Sequence, residues 1–321
     1  MTLSVASLIP SGTEIVSALG LADTLVGRSH ACDYPSEVLD LPVLSRPKVD
    51  PESKGAEIDE VVRSLMSSGE SVYEILMDRL LEAAPDVVIT QDHCDACAVS
   101  LEDVRQAVAC ADLAGARLCA LHPHDLDGIR EDFDRVAEAL GVRERGSRLR
   151  SRFDERLDAV RRRNDGGQLL RVVLVEWLDP PMVAGGWMPE LARIAGLEPL
   201  IVSDATSFEQ VSWSDITHAR PDAVVLLPCG FSVPRTLREL RTGEAGRAVS
   251  EMAATIPLGV RAVDGDALFN RPGPRLADSA ELLSAVLRPE RADELRAFEG
   301  SYSCIDGERL QRTISVPSSS E

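Results

Sequence analysis

A run of β-branched residues that stops in a polar loop places the strongest constraint on the fold. Residues 87–90 read Val-Val-Ile-Thr, and residues 91–97 continue as Gln-Asp-His-Cys-Asp-Ala-Cys. A buried strand that ends in this way carries side chains to the edge of a sheet, where α/β proteins bind their ligands. The stretch therefore predicts one wall of a ligand-binding cleft.

The same arrangement recurs in the second half of the chain. Residues 84–89, Ala-Pro-Asp-Val-Val-Ile, lead to Cys94, and residues 220–225, Arg-Pro-Asp-Ala-Val-Val, lead to Cys229. Each reads as a helix end, a Pro-Asp turn, an apolar strand and a loop cysteine. A weaker similarity links residues 13–21 with residues 189–197. Two similar lobes are therefore predicted.

The order of the predicted elements divides the chain. Helices and strands alternate through residues 1–124, which favours a mostly parallel sheet in an N-terminal α/β lobe. Residues 125–164 read as two helices without an intervening strand, the second from about Arg143 to Arg163. Residues 165–299 resume the alternation as a C-terminal α/β lobe, and residues 300–321 read as a polar, frayed tail.

Near the N-terminus, residues 11–14 read Ser-Gly-Thr-Glu, which is the pattern of a helix capping box.

Composition and charge exclude several classes of protein. With 44% hydrophobic and 27% charged residues, and no apolar run of membrane-spanning length, we expect a globular protein that does not insert into membranes. The net charge of -19 argues against a nucleic-acid partner. Arginines are frequent in residues 143–163, but they alternate with acidic residues, which indicates a solvated helix.

The cysteine content raises the question of a metal site. The first residues show no secretory leader, so a cytoplasmic location is expected, where the seven cysteines would be thiols rather than disulfides. Thiolates suit zinc, iron or an iron–sulfur cluster, and a cleft would bring several strand-end loops together. Packing of small residues explains Cys94 and Cys97 equally well. The predicted metal ligands are Cys32, Cys94, Cys97 and Cys229, with His30 as a substitute.

Aromatic residues and histidines also lie near the predicted strand ends. Core anchoring is the ordinary explanation for the aromatic residues, but together they could form a flat apolar wall for a large planar ligand. His122 and His124 flank Pro123 and are interpreted as part of a turn rather than as ligands. The aromatic residues are Trp177, Trp187, Trp213, Phe231 and Phe269.

In combination, several segments resemble a known family. The segments are residues 7–14 (Ser-Leu-Ile-Pro-Ser-Gly-Thr-Glu), 32–35, 91–92 with Cys94 and Cys97, 176–181, 228–231 and 270–275. Over about residues 3–290 the chain resembles the periplasmic-binding-protein-like receptors with a helical backbone. This class includes vitamin B12 and siderophore receptors of ABC importers, and the resemblance is greatest to its cobalamin-binding branch.

The resemblance implies a fold and a set of ligand-binding residues. It implies two Rossmann-like lobes with mostly parallel sheets, joined by one long backbone helix, with the ligand in a cleft between the lobes. It also implies an acidic contact to a permease, for which Glu74 is the candidate in the first lobe. The expected ligand-binding residues, from the resemblance and the strand-end loops together, are Pro10, Ser11, Gly12, Thr13, Tyr34, Gln91, Asp92, Trp177, Trp187, Phe231, Phe269 and Arg271.

Three functional hypotheses follow. The leading one is a cytoplasmic two-lobed binding protein for a cobalamin-like or other metal-bearing small molecule, with the cleft cysteines as soft donors to the metal. The second is a metalloenzyme on the same scaffold, with cysteine-bound zinc, iron or an iron–sulfur centre and Glu176 or Asp92 as general base. The third is a receptor for an ABC permease, which requires export by a signal absent from this sequence.

Overall fold

The predicted strand at residues 87–90 is present as β5 (Val87–Gln91), and every residue of it is buried. The computed structural model describes residues 3–94, 96, 98–109, 113, 115–203 and 209–314. The chain forms two units. The first contains residues up to Ser53, residues 57–155 and residues 272–274, and the second contains residues 54–56, 156–271 and the chain from Arg275 onward.

The first unit contains a parallel sheet of four strands in the order β2-β1-β5-β6. Helices follow the strands in sequence, as expected for an α/β unit, and a short antiparallel pair, β3 with β4, stands apart from this sheet. The remaining strands are β1 (Val5–Ser7), β2 (Leu25–Arg28), β3 (Ser45–Pro47), β4 (Tyr73–Ile75) and β6 (Arg117–Leu121). The helices are α1 (Pro10–Ala18), α2 (Gly55–Ser67), α3 (Met77–Ala83), α4 (Leu101–Val108) and α5 (Leu126–Ala139).

The second unit contains a mixed sheet of seven strands in the order β10-β8-β7-β11-β12-β13, with β9 also paired to β7. The strands β7, β9, β11 and β12 pair in parallel, and β8, β10 and β13 join antiparallel. The strands are β7 (Leu170–Leu178), β8 (Pro181–Val183), β9 (Leu197–Pro199), β10 (Glu209–Gln210), β11 (Ala223–Leu226), β12 (Val260–Val263) and β13 (Tyr302–Cys304). After α6 (Arg143–Asn164), the helices are α7 (Met188–Ile194), α8 (Trp213–His218), α9 (Val233–Glu239), α10 (Gly243–Thr255), α11 (Leu276–Val286) and α12 (Gly307–Ile314).

These elements confirm the predicted fold class. Each unit is α/β with a wholly or mostly parallel sheet, and the long helix α6 begins in the first unit and ends in the second. Arg163, where the predicted helix ends, lies one residue before the observed end at Asn164. The boundaries predicted at residues 124, 164 and 299 stay a prediction, as does the cleft.

The repeated Pro-Asp turn has the same structural role in both units. Asp86 Oδ2 accepts a hydrogen bond from the backbone N–H of Ser4 at 2.8 Å, immediately before β1. Asp222 Oδ2 accepts one from the backbone N–H of Arg171 at 2.7 Å, at the start of β7. Each carboxylate therefore links the strand that follows it to the adjacent parallel strand. The hydrogen bonds from Ser4 lower the pKa of Asp86.

Several local predictions were wrong. Ser11 does not cap a helix, because α1 begins one residue earlier, at Pro10, with Ile9 at the N-cap and no side-chain cap. Residues 71–74, Ser-Val-Tyr-Glu, read as the start of a helix, but Tyr73–Ile75 form strand β4. The sequence predicts a strand over residues 172–175 and a loop from residue 176, but residues 176–178 extend strand β7 because this end of the strand pairs with β8. Residues 302–304 form edge strand β13 within the segment predicted to be a polar tail.

One glycine permits a close backbone approach in the second unit. Gly265 begins a π-helical turn (Gly265–Phe269) after β12. A Cβ atom at this position would lie 2.6 Å from the carbonyl carbon of Leu227 and would also overlap the carbonyl oxygen of Pro228. Because those neighbours are backbone atoms, they cannot move aside as a flexible side chain would.

We expect Gly265→Ala to lower the free energy of unfolding by about 1–3 kcal/mol, because the added methyl overpacks this backbone contact. Urea denaturation measures the change. Gly115→Ala is the matched control, since the described residues leave open space around that position. Equal stability of the two variants would contradict the assigned role of Gly265.

Candidate functional site

The segment between β1 and α1 is tightly packed within the first unit. A Cβ at Gly12 would lie 2.7 Å from Ile89 Cγ2, so a larger residue does not fit. Thr13 Oγ1 donates a hydrogen bond to Cys32 Sγ at 3.0 Å. Ser11 is buried, and its hydroxyl has no hydrogen-bond partner among the described residues. Of the residues predicted to bind ligand here, only Pro10 is partly exposed, and Ser11, Gly12 and Thr13 are buried.

The loop after β2 contains two of the predicted metal ligands. His30 Nδ1 lies 3.0 Å from Ser45 Oγ, and the ring stacks on Tyr73 with centroids 5.2 Å apart. Burial, and then the charge of Arg28, lower the pKa of His30. Cys32 is 1% exposed and packs against hydroxyl groups. Tyr34 is 47% exposed, and its role in ligand binding stays a prediction.

Gln91 organises the loop after β5. Its Oε1 accepts hydrogen bonds from the backbone N–H groups of His93 and Cys94, at 2.6 and 3.0 Å. Its Nε2 donates to the carbonyl oxygen of Cys94 at 2.6 Å. Both ends of this buried amide are therefore used to fix the loop.

The cysteines differ in their chemical state. Cys94 is disulfide-bonded, which corrects the expectation of a thiol at this position. Cys97 lies outside the described residues. Cys32 is a thiol of the first unit and Cys229 a thiol of the second. No group of three or more metal-binding side chains occurs among the described residues, so the cysteine-bound metal stays a prediction.

One polar cluster at this edge of the sheet was not predicted from the sequence. His122 Nδ1 lies 2.5 Å from Asp92 Oδ2, and the backbone N–H of His122 donates to both oxygens of Asp132 at 3.0 Å. Asp132 is fully buried, and this burial raises its pKa to about 6 although it pairs with Arg135. The sequence feature that indicates this cluster is the position of His122 directly after β6, the strand that pairs with β5.

A second histidine pair lies beside this cluster. The rings of His93 and His124 meet edge to face, with centroids 6.5 Å apart. Burial, and then the charge of His124, lower the pKa of His93 to about 4, so the ring of His93 is neutral at physiological pH. The interpretation of His122 and His124 as a simple turn is therefore incomplete.

In the second unit, an aromatic surface lies at the end of β7, with Trp177 as its accessible ring and Phe231 as a buried neighbour. Trp177 is partly exposed and packs against Phe231, with ring centroids 5.2 Å apart. The guanidinium of Arg235 lies 4.7 Å from the centroid of the Phe231 ring, a cation–π distance. Arg235 also pairs with Glu239 at 3.4 Å. We call Trp177, Phe231 and Arg235 the aromatic surface.

Two ionisable groups next to this surface are shifted toward their neutral forms. Burial raises the pKa of Glu176 to about 7, although the carboxyl accepts a hydrogen bond from the backbone of Gly185. Burial, and then the negative charges of Glu176 and Asp266, raise the pKa of Cys229 to about 12. The Cys229 thiol is therefore protonated at physiological pH.

The other residues of the second unit that were predicted to bind ligand are buried; they are Trp187, Phe231, Phe269 and Arg271. Trp187 Nε1 donates to the carbonyl oxygen of Phe269 at 3.0 Å, which joins two of them. Arg271 is also buried and pairs with Asp266 at 3.2 Å. Asn270 donates from Nδ2 to the carbonyl oxygen of Leu227 at 3.0 Å and supports this loop. Trp177 is thus the most accessible of the predicted aromatic residues in this unit.

None of the helices in the described ranges combines the length and the apolar character needed to cross a bilayer.

The raised pKa of Glu176 predicts a pH effect on stability. Between the usual pKa of 4.5 and the folded value of about 7, the folded protein binds this proton more tightly than the unfolded chain. Stability therefore falls as pH rises through this window, by about 1–3 kcal/mol from this group. Urea unfolding of the wild type and Glu176→Gln at pH 5 and pH 8 should show a smaller decrease in the variant. Identical decreases would contradict the assignment.

Comparison with known proteins gives two relatives that each match more than two thirds of the chain. The chain is 23% identical over 223 residues to the vitamin B12-binding protein of Vibrio parahaemolyticus serotype O3:K6 (strain RIMD 2210633), covering 68% of this chain and 69% of the relative. It is also 23% identical over 299 residues to YvrC, an uncharacterised ABC transporter substrate-binding lipoprotein of Bacillus subtilis (strain 168), covering 90% and 81%.

Solved structures share the fold. The periplasmic vitamin B12-binding protein BtuF of Vibrio cholerae superposes with a TM-score of 0.64 at 21% identity, covering 89% of this chain and 96% of that one. The periplasmic heme-binding protein HutB of Vibrio cholerae superposes with a TM-score of 0.66 at 18% identity, covering 90% and 100%. At these identities the similarity concerns the fold alone.

The family assignment rests on the sequence match. The family model described as "Periplasmic binding protein" matches residues 5–248, from the start of β1 into α10. Because this match covers well over half of the chain, the protein belongs to the periplasmic binding protein family.

Proposed function

We propose that this protein is a substrate-binding protein for a metal-bearing tetrapyrrole, and that the ligand is a corrinoid. The observation that carries the proposal is the aromatic surface of the second unit, where Trp177 remains partly exposed beside the ends of parallel strands. Ligands of α/β proteins bind at these strand ends. The B12-binding relative from Vibrio parahaemolyticus supports the same ligand class.

The aromatic surface suits a large planar ligand. The indole of Trp177 is held in place by Phe231 and by its own hydrogen bond from Nε1 to the carbonyl oxygen of Asp179 at 3.1 Å. A ring fixed before binding loses little conformational freedom when a ligand packs against it. A macrocycle offers a face wide enough to cover such a surface.

The arginines near the aromatic surface already have acidic partners, which favours a ligand whose edge carries no charged groups. Two arginines of the second unit, Arg235 on α9 and Arg271 after the π-helical turn, each have an acidic partner, Glu239 and Asp266 respectively. Burial shifts Glu176 toward its neutral form. A ligand bearing two carboxylates, such as heme, would meet cations that are already paired. A corrinoid carries uncharged amides around its ring and needs no unpaired cation.

A transport partner is part of the same proposal. The B. subtilis relative is named as an ABC transporter substrate-binding protein, which supports an ABC permease as partner. Glu74 is the candidate contact in the first unit. It lies on β4 and pairs with Arg46 at 2.8 Å, with 43% of its side chain exposed. A permease arginine would exchange with Arg46 for this carboxylate.

A permease partner requires export, whereas the cytoplasmic location expected from the first residues also stays a prediction; cell fractionation decides between the two. The metalloenzyme alternative also stays a prediction. Glu176, with its pKa near 7, would be its general base, whereas Asp92 is already paired with His122.

Trp177→Ala should weaken the binding of aquacobalamin by about tenfold or more, because the planar contact is lost. Isothermal titration calorimetry measures the affinity, and Trp177→Phe should retain most of it. Leu169→Ala is the control, since Leu169 is exposed and precedes the opposite end of the same strand, β7. Unchanged affinity in Trp177→Ala would remove the aromatic surface from the site.

The predicted cysteine donors have a separate test. We expect Cys229→Ser to retain cobalt at the wild-type ratio after loading with aquacobalamin, because burial keeps the thiol protonated. Elemental analysis measures cobalt per chain. Loss of cobalt in Cys229→Ser, with normal retention in the exposed control Cys304→Ser, would instead support cysteine coordination.

A further inference from the structure

We infer that His122 is an axial ligand of the metal at the centre of the bound macrocycle and that Asp92 is its positioning residue. The inference rests on the proposed function, because it requires a metal-bearing tetrapyrrole. It concerns a side chain of the first unit, directly after strand β6.

The Asp92–His122 contact determines which ring nitrogen is available. His122 Nδ1 lies 2.5 Å from Asp92 Oδ2. A carboxylate can only accept a hydrogen bond, so Nδ1 carries the proton and the lone pair of a neutral imidazole lies on Nε2. A carboxylate that holds one ring nitrogen while the other binds a metal is the usual arrangement of metal-binding histidines.

The backbone on both sides of the contact is anchored. The N–H of His122 donates to both oxygens of buried Asp132 at 3.0 Å. The backbone N–H of Asp92 donates to the carbonyl oxygen of Leu121 at 3.1 Å, which ties the end of β5 to the end of β6. The ring is therefore oriented before any ligand arrives, and this lowers the entropic cost of coordination.

His122 is also accessible. Its side chain is 38% exposed and follows β6 at the ligand-binding edge of the sheet. Within the described ranges no hydrogen bond involves its Nε2. The other histidines of this edge are less suitable. His30 is stacked on Tyr73 with Nδ1 against Ser45. His93 is largely desolvated, and among the described residues the ring of His124 contacts that of His93 rather than a carboxylate. A single axial ligand needs no cluster of three metal-binding side chains.

The coordination step is a ligand exchange. In aquacobalamin, the bond between cobalt and the axial water breaks, and the water leaves with its electron pair. The Nε2 lone pair of His122 forms the new bond to cobalt. The Nδ1 proton remains on the ring and stays hydrogen-bonded to Asp92. No electron is transferred, and no proton leaves the protein.

The test uses the untagged full chain with two probes. Aquacobalamin has an exchangeable axial water, whereas dicyanocobinamide has cyanide at both axial positions. The proteins are the wild type, His122→Ala, Asp92→Asn and the control His218→Ala, which removes an exposed histidine at the end of α8. Visible absorption reports coordination, calorimetry reports affinity, and circular dichroism confirms folding of each variant.

We expect the wild type and His218→Ala to shift the visible bands of aquacobalamin. His122→Ala should give no shift and bind aquacobalamin at least about tenfold more weakly, but bind dicyanocobinamide as the wild type does. Asp92→Asn should give a weaker shift, because the amide holds the ring less firmly.

The two proposals fail in different ways. If His122→Ala still shifts the bands, or binds aquacobalamin as tightly as the wild type, the axial role of His122 is wrong and the proposed function stands. If the wild type binds both probes without any band shift, the same conclusion holds. If the wild type binds neither probe, both proposals are overturned.

Discussion

The structure of each unit depends on one buried parallel strand and the carboxylate that fixes its start. Asp86 and Asp222 each accept a hydrogen bond from the backbone of the neighbouring strand, and the apolar strands β5 and β11 follow directly. A buried parallel strand has no solvent to satisfy its backbone, so its register must be set by such local contacts and by burial of both faces. Once the start is fixed, the position of the loop at the other end is fixed as well.

That loop edge is where the two units differ in chemistry. In the first unit, the ends of β5 and β6 hold a polar cluster, in which Asp92 orients His122 and buried Asp132 anchors it. In the second unit, the ends of β7 and β11 hold the aromatic surface with charges that are paired or neutralised. One edge thus presents an imidazole held by a carboxylate, and the other presents a partly exposed indole ring packed on a phenyl ring.

The fold could be predicted because its signals are local. The Pro-Asp turn before an apolar run occurs twice, and helix periodicity placed α6 within one residue of its observed end. The failures arose where a distant strand decides the outcome. Residues 176–178 read as loop but extend β7 because β8 pairs with them, and Tyr302–Cys304 joins β12 although its sequence is that of a polar tail.

The positions of the candidate site residues relative to the strands could be predicted from the sequence, but their hydrogen-bond partners could not. The sequence alone determined approximately where the buried strands end, and it therefore located Asp92, Cys229 and Trp177 at or near strand ends. Only the tertiary structure decided that His122 belongs with Asp92 and that Trp187 bonds to the backbone of Phe269. Strand ends can be read from residue periodicity, which is a property of neighbouring residues. Hydrogen bonds between side chains of different strands depend on register and distance, which are set when the sheet assembles.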